Sequence, residues 1–152
     1  MPFNQNQLYK ESAAVLEAQL ACAESLFATS SEIQTLIESG KFELVQERYF
    51  SRGEILNMMV SLDQQMGSLL AEAKRVLPEK MWQSLIHIGR KVHELMLSIM
   101  SLDSENRSNV EKKCEEIRQA LGNIRGGGYD ISKNRSDYTY QLNRPNAVSE
   151  HI

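Results

Sequence analysis

Apolar residues recur along the chain in steps of three and four, so each long stretch carries them on one face. From Leu16 a seam runs through Leu20, Ala23, Phe27, Ser30, Ile33 and Ile37. A repeat near 3.5 residues is the mark of one side of an α-helix lying along a partner. The seam stops at Ser39-Gly40, where glycine can take the left-handed conformation that ends a helix. A second seam starts at once: Phe42, Val45, Tyr49, Arg52, Ile55, Met59, Leu62, Met66, Leu69, Ala73 and Val76. So short a turn forces the first two helices to lie antiparallel. Leu77-Pro78 closes the second helix, because the residue before proline is pushed out of the helical region, and Pro78 can open the third as its first residue. The third seam runs Trp82, Leu85, Gly89, Val92, Leu95, Ile99, Leu102, Asn106, Val110, Cys114, Ile117, Leu121 and Ile124. Three stripes of this kind can be buried only against one another. The expected fold is all-α, an elongated antiparallel three-helix bundle with helices over about residues 5–39, 42–77 and 78–124.

The lengths are unequal. The first two helices, roughly 35 residues each, are about 50 Å long, whereas a third of roughly 47 residues is about 70 Å. If the third helix starts level with the end of the second, its last turns run past the Gly40 turn. They would carry Val110, Cys114, Ile117, Leu121 and Ile124 outward without a partner from the same chain. Exposed apolar surface costs about 25 cal/mol per Å², so such a stripe calls for a second chain or a folded-back tail. An alternative ends the third helix early. Ser104 or Ser108 can act as an N-cap, Ser108 with Glu111 as a capping box, making 102–108 a hinge and 108–124 a short fourth helix. In both versions the stripe faces outward. Gly126-Gly127-Gly128 then cannot sustain a helix, and the remainder is polar and aperiodic. Residues 1–125 therefore read as the helical bundle and 126–152 as a disordered tail. Tyr129, Tyr138 and Tyr140 in that tail are either unremarkable or the anchors of a short binding segment.

Composition supports helices with aliphatic seams. Aromatics make up 7% of the chain, and its three prolines stand at 2, 78 and 145, leaving the long stretches between them unbroken. A net charge of −3 and a pI near 5.7 speak against a broad nucleic-acid surface. Residues 1–9 are polar and no run of 18 apolar residues occurs, so neither a secretory signal nor a stable membrane insertion is expected. Cys22 and Cys114 fall on different helices and read as reduced core thiols of a cytosolic protein. The sequons at Asn106 and Asn134 then carry no meaning.

Chemistry is scarce. His87 and His93, six residues apart, face opposite sides of one helix and suit ordinary surface imidazoles better than metal ligands. The glycine triplet follows a helix instead of opening one, so it is no phosphate loop. Neither thiol has the electropositive neighbours of a nucleophile. Glu111 beside Lys112 and Lys113, and Glu115-Glu116 before Arg118, fit a solvated helix face. Met58, Met59, Met66, Met81, Met96 and Met100 fall mostly on or beside the seams, where core packing is the default and an adaptable client surface the sharper alternative. No catalytic centre, metal or cofactor is expected.

The hairpin resembles a known family. The long first helix, the turn Ile37-Glu38-Ser39-Gly40-Lys41-Phe42-Glu43, and the stretch Glu47-Arg48-Tyr49-Phe50-Ser51-Arg52-Gly53-Glu54-Ile55-Leu56 look like the FlgN-type flagellar export chaperones. Leu102-Asp103-Ser104-Glu105-Asn106, the charged helix after it and the glycine-containing tail with tyrosines look like that family's third helix and C-terminus. The resemblance covers residues 8 to about 140. It implies a cytoplasmic chaperone of type III export that binds the C-terminal helices of hook-associated proteins (FlgK- and FlgL-like) in a helix-in-groove mode. Such a chaperone keeps its clients unpolymerised and delivers them to the export gate protein FlhA. On that reading Val110, Cys114, Ile117, Leu121 and Ile124 form the client-binding wall. Tyr129, Tyr138 and Tyr140 compete for the place of the gate contact. Two rivals stand beside it: a FliT-type chaperone for the filament cap or another secretion client, and a scaffold coiled coil whose exposed stripe makes a homodimer.

Overall fold

A computed structural model describes residues 4–125; the glycine triplet and the expected tail with its three tyrosines lie outside the described residues. Three helices follow in order, α1 (Gln5–Glu38), α2 (Phe42–Val76) and α3 (Glu79–Arg125), with no strand among the described residues. Asn4 caps α1: its side-chain oxygen accepts from the Gln7 amide at 3.1 Å, satisfying one of the donors a helix start leaves unpaired. α1 ends in a Schellman motif. The Lys41 amide donates to the Leu36 carbonyl at 2.9 Å and the Gly40 amide to that of Ile37 at 3.1 Å, with Gly40 at φ 72°, the left-handed geometry this cap requires. Pro78 stands just before α3 and not within it, its carbonyl accepting from the Trp82 amide. α3 is unbroken through 102–108, so the hinge and fourth helix do not form.

The chain divides into two compact units, each drawing on all three helices. The first joins the chain up to Thr29 with Glu54–Met100; the second joins Ser30–Gly53 with the chain from Ser101 onward. In the first unit one cluster gathers Leu8, Leu16, Met66, Ala73, Leu77 and Leu85, and another gathers Cys22, Ala23, Leu26, Met59 and Ile99. Early α1 thus meets late α2 and early α3, so there α2 runs antiparallel to α1 and α3 parallel to it. In the second unit Ile33, Ile37, Val45, Val110 and Cys114 pack together. Each fully buried Leu, Ile or Val among these contributes about 1.5–3 kcal/mol of apolar burial.

Two expectations are corrected. In α1 the inward positions belong to Gln19 and Leu26, while Leu20 is half-buried and Phe27 exposed. The buried positions 8, 12, 16, 19, 23, 26, 30, 33 and 37 keep steps of four and three, with Cys22 buried beside them; Leu20 and Phe27 lie one residue off this row. Val110 and Cys114 do not face outward either. They are 2% and 6% exposed and share a cluster with Ile37 and Phe42, the residues that flank the Gly40 turn. Ile37 and Phe42 therefore cover the stripe as far as Cys114, and its unpartnered part begins only at Ile117.

Candidate functional site

Polar residues interrupt the apolar seams of the second unit and find one another there. The Ser30 hydroxyl donates to Asp103 Oδ1 at 2.8 Å, and Arg52 Nη2 donates to and pairs with Asp103 Oδ2. Asn106 Nδ2 donates to the Ser30 carbonyl at 2.9 Å. The Arg52 and Asp103 side chains are only 13% and 18% exposed. Burial raises the Tyr49 phenol above its ordinary 10; the Asp103 carboxylate adds to the rise, while Arg52 and Arg107 oppose it. Asn106 Oδ1 and Arg52 Nε are buried without a hydrogen-bond partner. Both Asp103 oxygens are occupied, one by a partner from α1 and one by a partner from α2, so the carboxylate ties three helices together at one level, in the way buried polar groups can fix register in helical bundles.

The remaining chemical candidates are dispersed. Cys22 and Cys114 are buried, on different clusters, and form no disulfide. His87 and His93 are exposed. Among the described residues no group of three His, Cys, Asp or Glu side chains could hold a metal ion, and no helix is long and apolar enough to cross a membrane. Of the methionines, Met59 and Met66 are core residues, whereas Met58 and Met100 are exposed.

Among the described residues, two of the open apolar surfaces bear on function. The first is the last three turns of α3, residues 115–125, about 17 Å of helix. Ile117, Leu121 and Ile124 continue the spacing of Val110 and Cys114, yet they are 49%, 36% and 80% exposed. Arg118 binds Glu115 at 2.6 Å, and Lys113 lies 3.9 Å from Glu116, one-turn pairs of the solvated kind expected there. Of the five residues assigned to client binding, three therefore share an open face and two hold the core; Tyr129, Tyr138 and Tyr140 lie outside the described residues. The second surface is a groove of about 470 Å³ between α1 and α2 in the first unit, lined by Ala18, Ala21, Cys22, Ser25, Ile55, Met58, Ser61 and Leu62. Sequence reasoning missed it. The available signal was a run of small residues at Ala14, Ala18, Ala21, Ser25 and Ala28, which lowers one wall. No family model matches the chain, and no curated protein or solved structure is significantly similar to it.

Proposed function

We propose that this chain is a cytosolic export chaperone of the FlgN type, without catalytic activity. On this reading it seats the C-terminal amphipathic helix of a hook-associated flagellar protein on the end of α3 and brings it, unpolymerised, to the FlhA gate. The observation that carries the reading is the seam of α3, which runs in register from buried Val110 and Cys114 to exposed Ile117, Leu121 and Ile124. Three apolar residues at helical spacing, with no cover from the described chain, suit a client helix laid along them. The turn and hairpin residues that resemble the family add to it. Self-pairing of the stripe suits it less: in a parallel pair the flanking positions would set Lys113 of one copy against Arg118 of the other, and like charges at those positions disfavour pairing.

The test is copurification of the full chain with the C-terminal segments of hook-associated and filament-cap proteins, followed by sizing. A one-to-one complex with a hook-associated segment, lost in Ile117→Asp with Leu121→Asp, is the expected result. A tight homodimer dispersed by the same substitutions, with no client complex, would replace this reading with a self-associating scaffold.

A further inference from the structure

The groove of the first unit has a distinctive electrostatic frame. Its lining is mainly apolar, with Ile55, Met58 and Leu62 of α2 set against Ala18, Ala21 and Cys22 of α1. From residue 11 to residue 40 the chain carries no Lys or Arg, and none occurs from 53 to 73. Every charged side chain that the first unit takes from these two stretches is therefore acidic: Glu11, Glu17 and Glu24 on α1, and Glu54, Asp63 and Glu72 on α2. Glu17, Glu24 and Glu54 are exposed, and each stands one position before a residue that lines the groove.

We infer that this groove is a docking site for a cationic amphipathic helix, one with large apolar anchors on one face and Lys or Arg along its flanks. The small side chains at 14, 18, 21, 25 and 28 follow steps of four and three for about 20 Å of α1, and they allow a third helix to approach the pair closely. About 470 Å³ falls within the roughly 300–1,000 Å³ of ligand-sized sites, room that bulky anchors would fill. Met58, 57% exposed on the rim, is an unbranched, polarisable side chain that can remould around them. The all-acidic frame selects the sign of the partner. It repels nucleic acid, anionic membrane and acid-flanked helices, and it speeds encounter with a basic one. The inference does not depend on the α3 stripe, which belongs to the other unit and has cations beside it.

The test uses the full chain and three fluorescently labelled amphipathic peptides with identical leucine anchors and Lys, Gln or Glu flanks. Fluorescence anisotropy is read at about 50 mM and about 500 mM salt. The Lys-flanked peptide binds at least about tenfold more tightly than the Gln-flanked one, the Glu-flanked peptide binds most weakly, and high salt compresses the differences. Ala21→Arg, at an exposed position on the groove wall, removes binding of the Lys-flanked peptide. Glu17→Lys with Glu24→Lys, both at exposed positions, inverts the order of the peptides and keeps the test open should Ala21→Arg fold poorly. In the Ile117→Asp chain, where the α3 stripe is disabled, the preference for the Lys-flanked peptide persists, so the outcome is distinguishable from client capture on α3. Equal affinities for the Lys- and Glu-flanked peptides would overturn the inference. So would a self-associated state that Ala21→Arg disperses, since the occupant would then be a second copy of this chain.

Discussion

Asp103 receives an arginine from α2 and a hydroxyl from α1 in a part of the second unit that is otherwise largely apolar. Bringing two charges out of water costs several kcal/mol per ion, and their attraction offsets this only while the pair is intact. Removal of one partner should therefore be worse than removal of both. Asp103→Ala is expected to cost about 3 kcal/mol in urea unfolding, because Arg52, whose Nε already lacks a partner, keeps its charge without a counter-ion. Arg52→Met with Asp103→Leu should return to within about 1 kcal/mol of the parent chain. The same Asp103→Ala chain should show the Tyr49 phenol titrating lower than in the parent, since the carboxylate is the second cause of its rise and burial the first. A cost for Asp103→Ala below about 0.5 kcal/mol would mean that water screens the pair. Part of this layer is legible in the sequence. Ser30, Arg52 and Asn106 stand on seam positions, so their inward placement follows from spacing alone. Asp103 does not, because a charged residue one position off the seam reads as solvated until its partners are known.

At the scale of elements the helix limits were readable to within a residue or so, because each stop has a strong local cause. Gly40 with its φ of 72° and the Leu77-Pro78 step leave the backbone little choice. The capping signals at Ser104 and Ser108 are equally visible, and they lose. A serine can cap only if the helix before it ends, and the seam through Ile99, Asn106, Val110 and Cys114, all buried, holds α3 in helical register straight through both. Ambiguity arises where two adjacent residues are both able to face inward, as with Gln19 and Leu20 or Leu26 and Phe27; there only the packed partner decides. The Gly40 turn offers a clean measurement. A Cβ added at Gly40 meets nothing within 4 Å, so Gly40→Ala carries only the backbone cost of the left-handed conformation. That cost is about 1–2 kcal/mol, read as a lowered urea midpoint with an unchanged slope. Loss of helical signal in the folded baseline would instead mean that α1 and α2 depend on this cap to form.

Across the whole molecule, one stripe of α3 serves two purposes that the sequence alone merges. Val110, Cys114, Ile117, Leu121 and Ile124 are equivalent in spacing and chemistry, and nothing in the pattern separates the covered residues from the open ones. Ile37, Phe42 and Val45, on either side of the Gly40 turn, pack on the first two of these residues and draw them into the core, a contact between distant segments that no periodicity encodes. The division predicts an energetic break within one helix. Val110→Ala opens a cavity among Ile33, Ile37 and Val45 and should cost about 2 kcal/mol. Ile117→Ala and Ile124→Ala, at positions 49% and 80% exposed, should each stay within about 0.5 kcal/mol of the parent chain. Amide hydrogen exchange should show the same break, slow up to Cys114 and faster over 115–125, since helical turns without packed neighbours open locally. The comparison also settles how loss of client capture on Ile117→Asp is to be understood, because a substitution that leaves stability intact can act only through the surface it changes. Should Ile117→Ala or Ile124→Ala cost as much as Val110→Ala, the stripe is already covered in the free protein, and it cannot then be the open seat that the proposed chaperone needs.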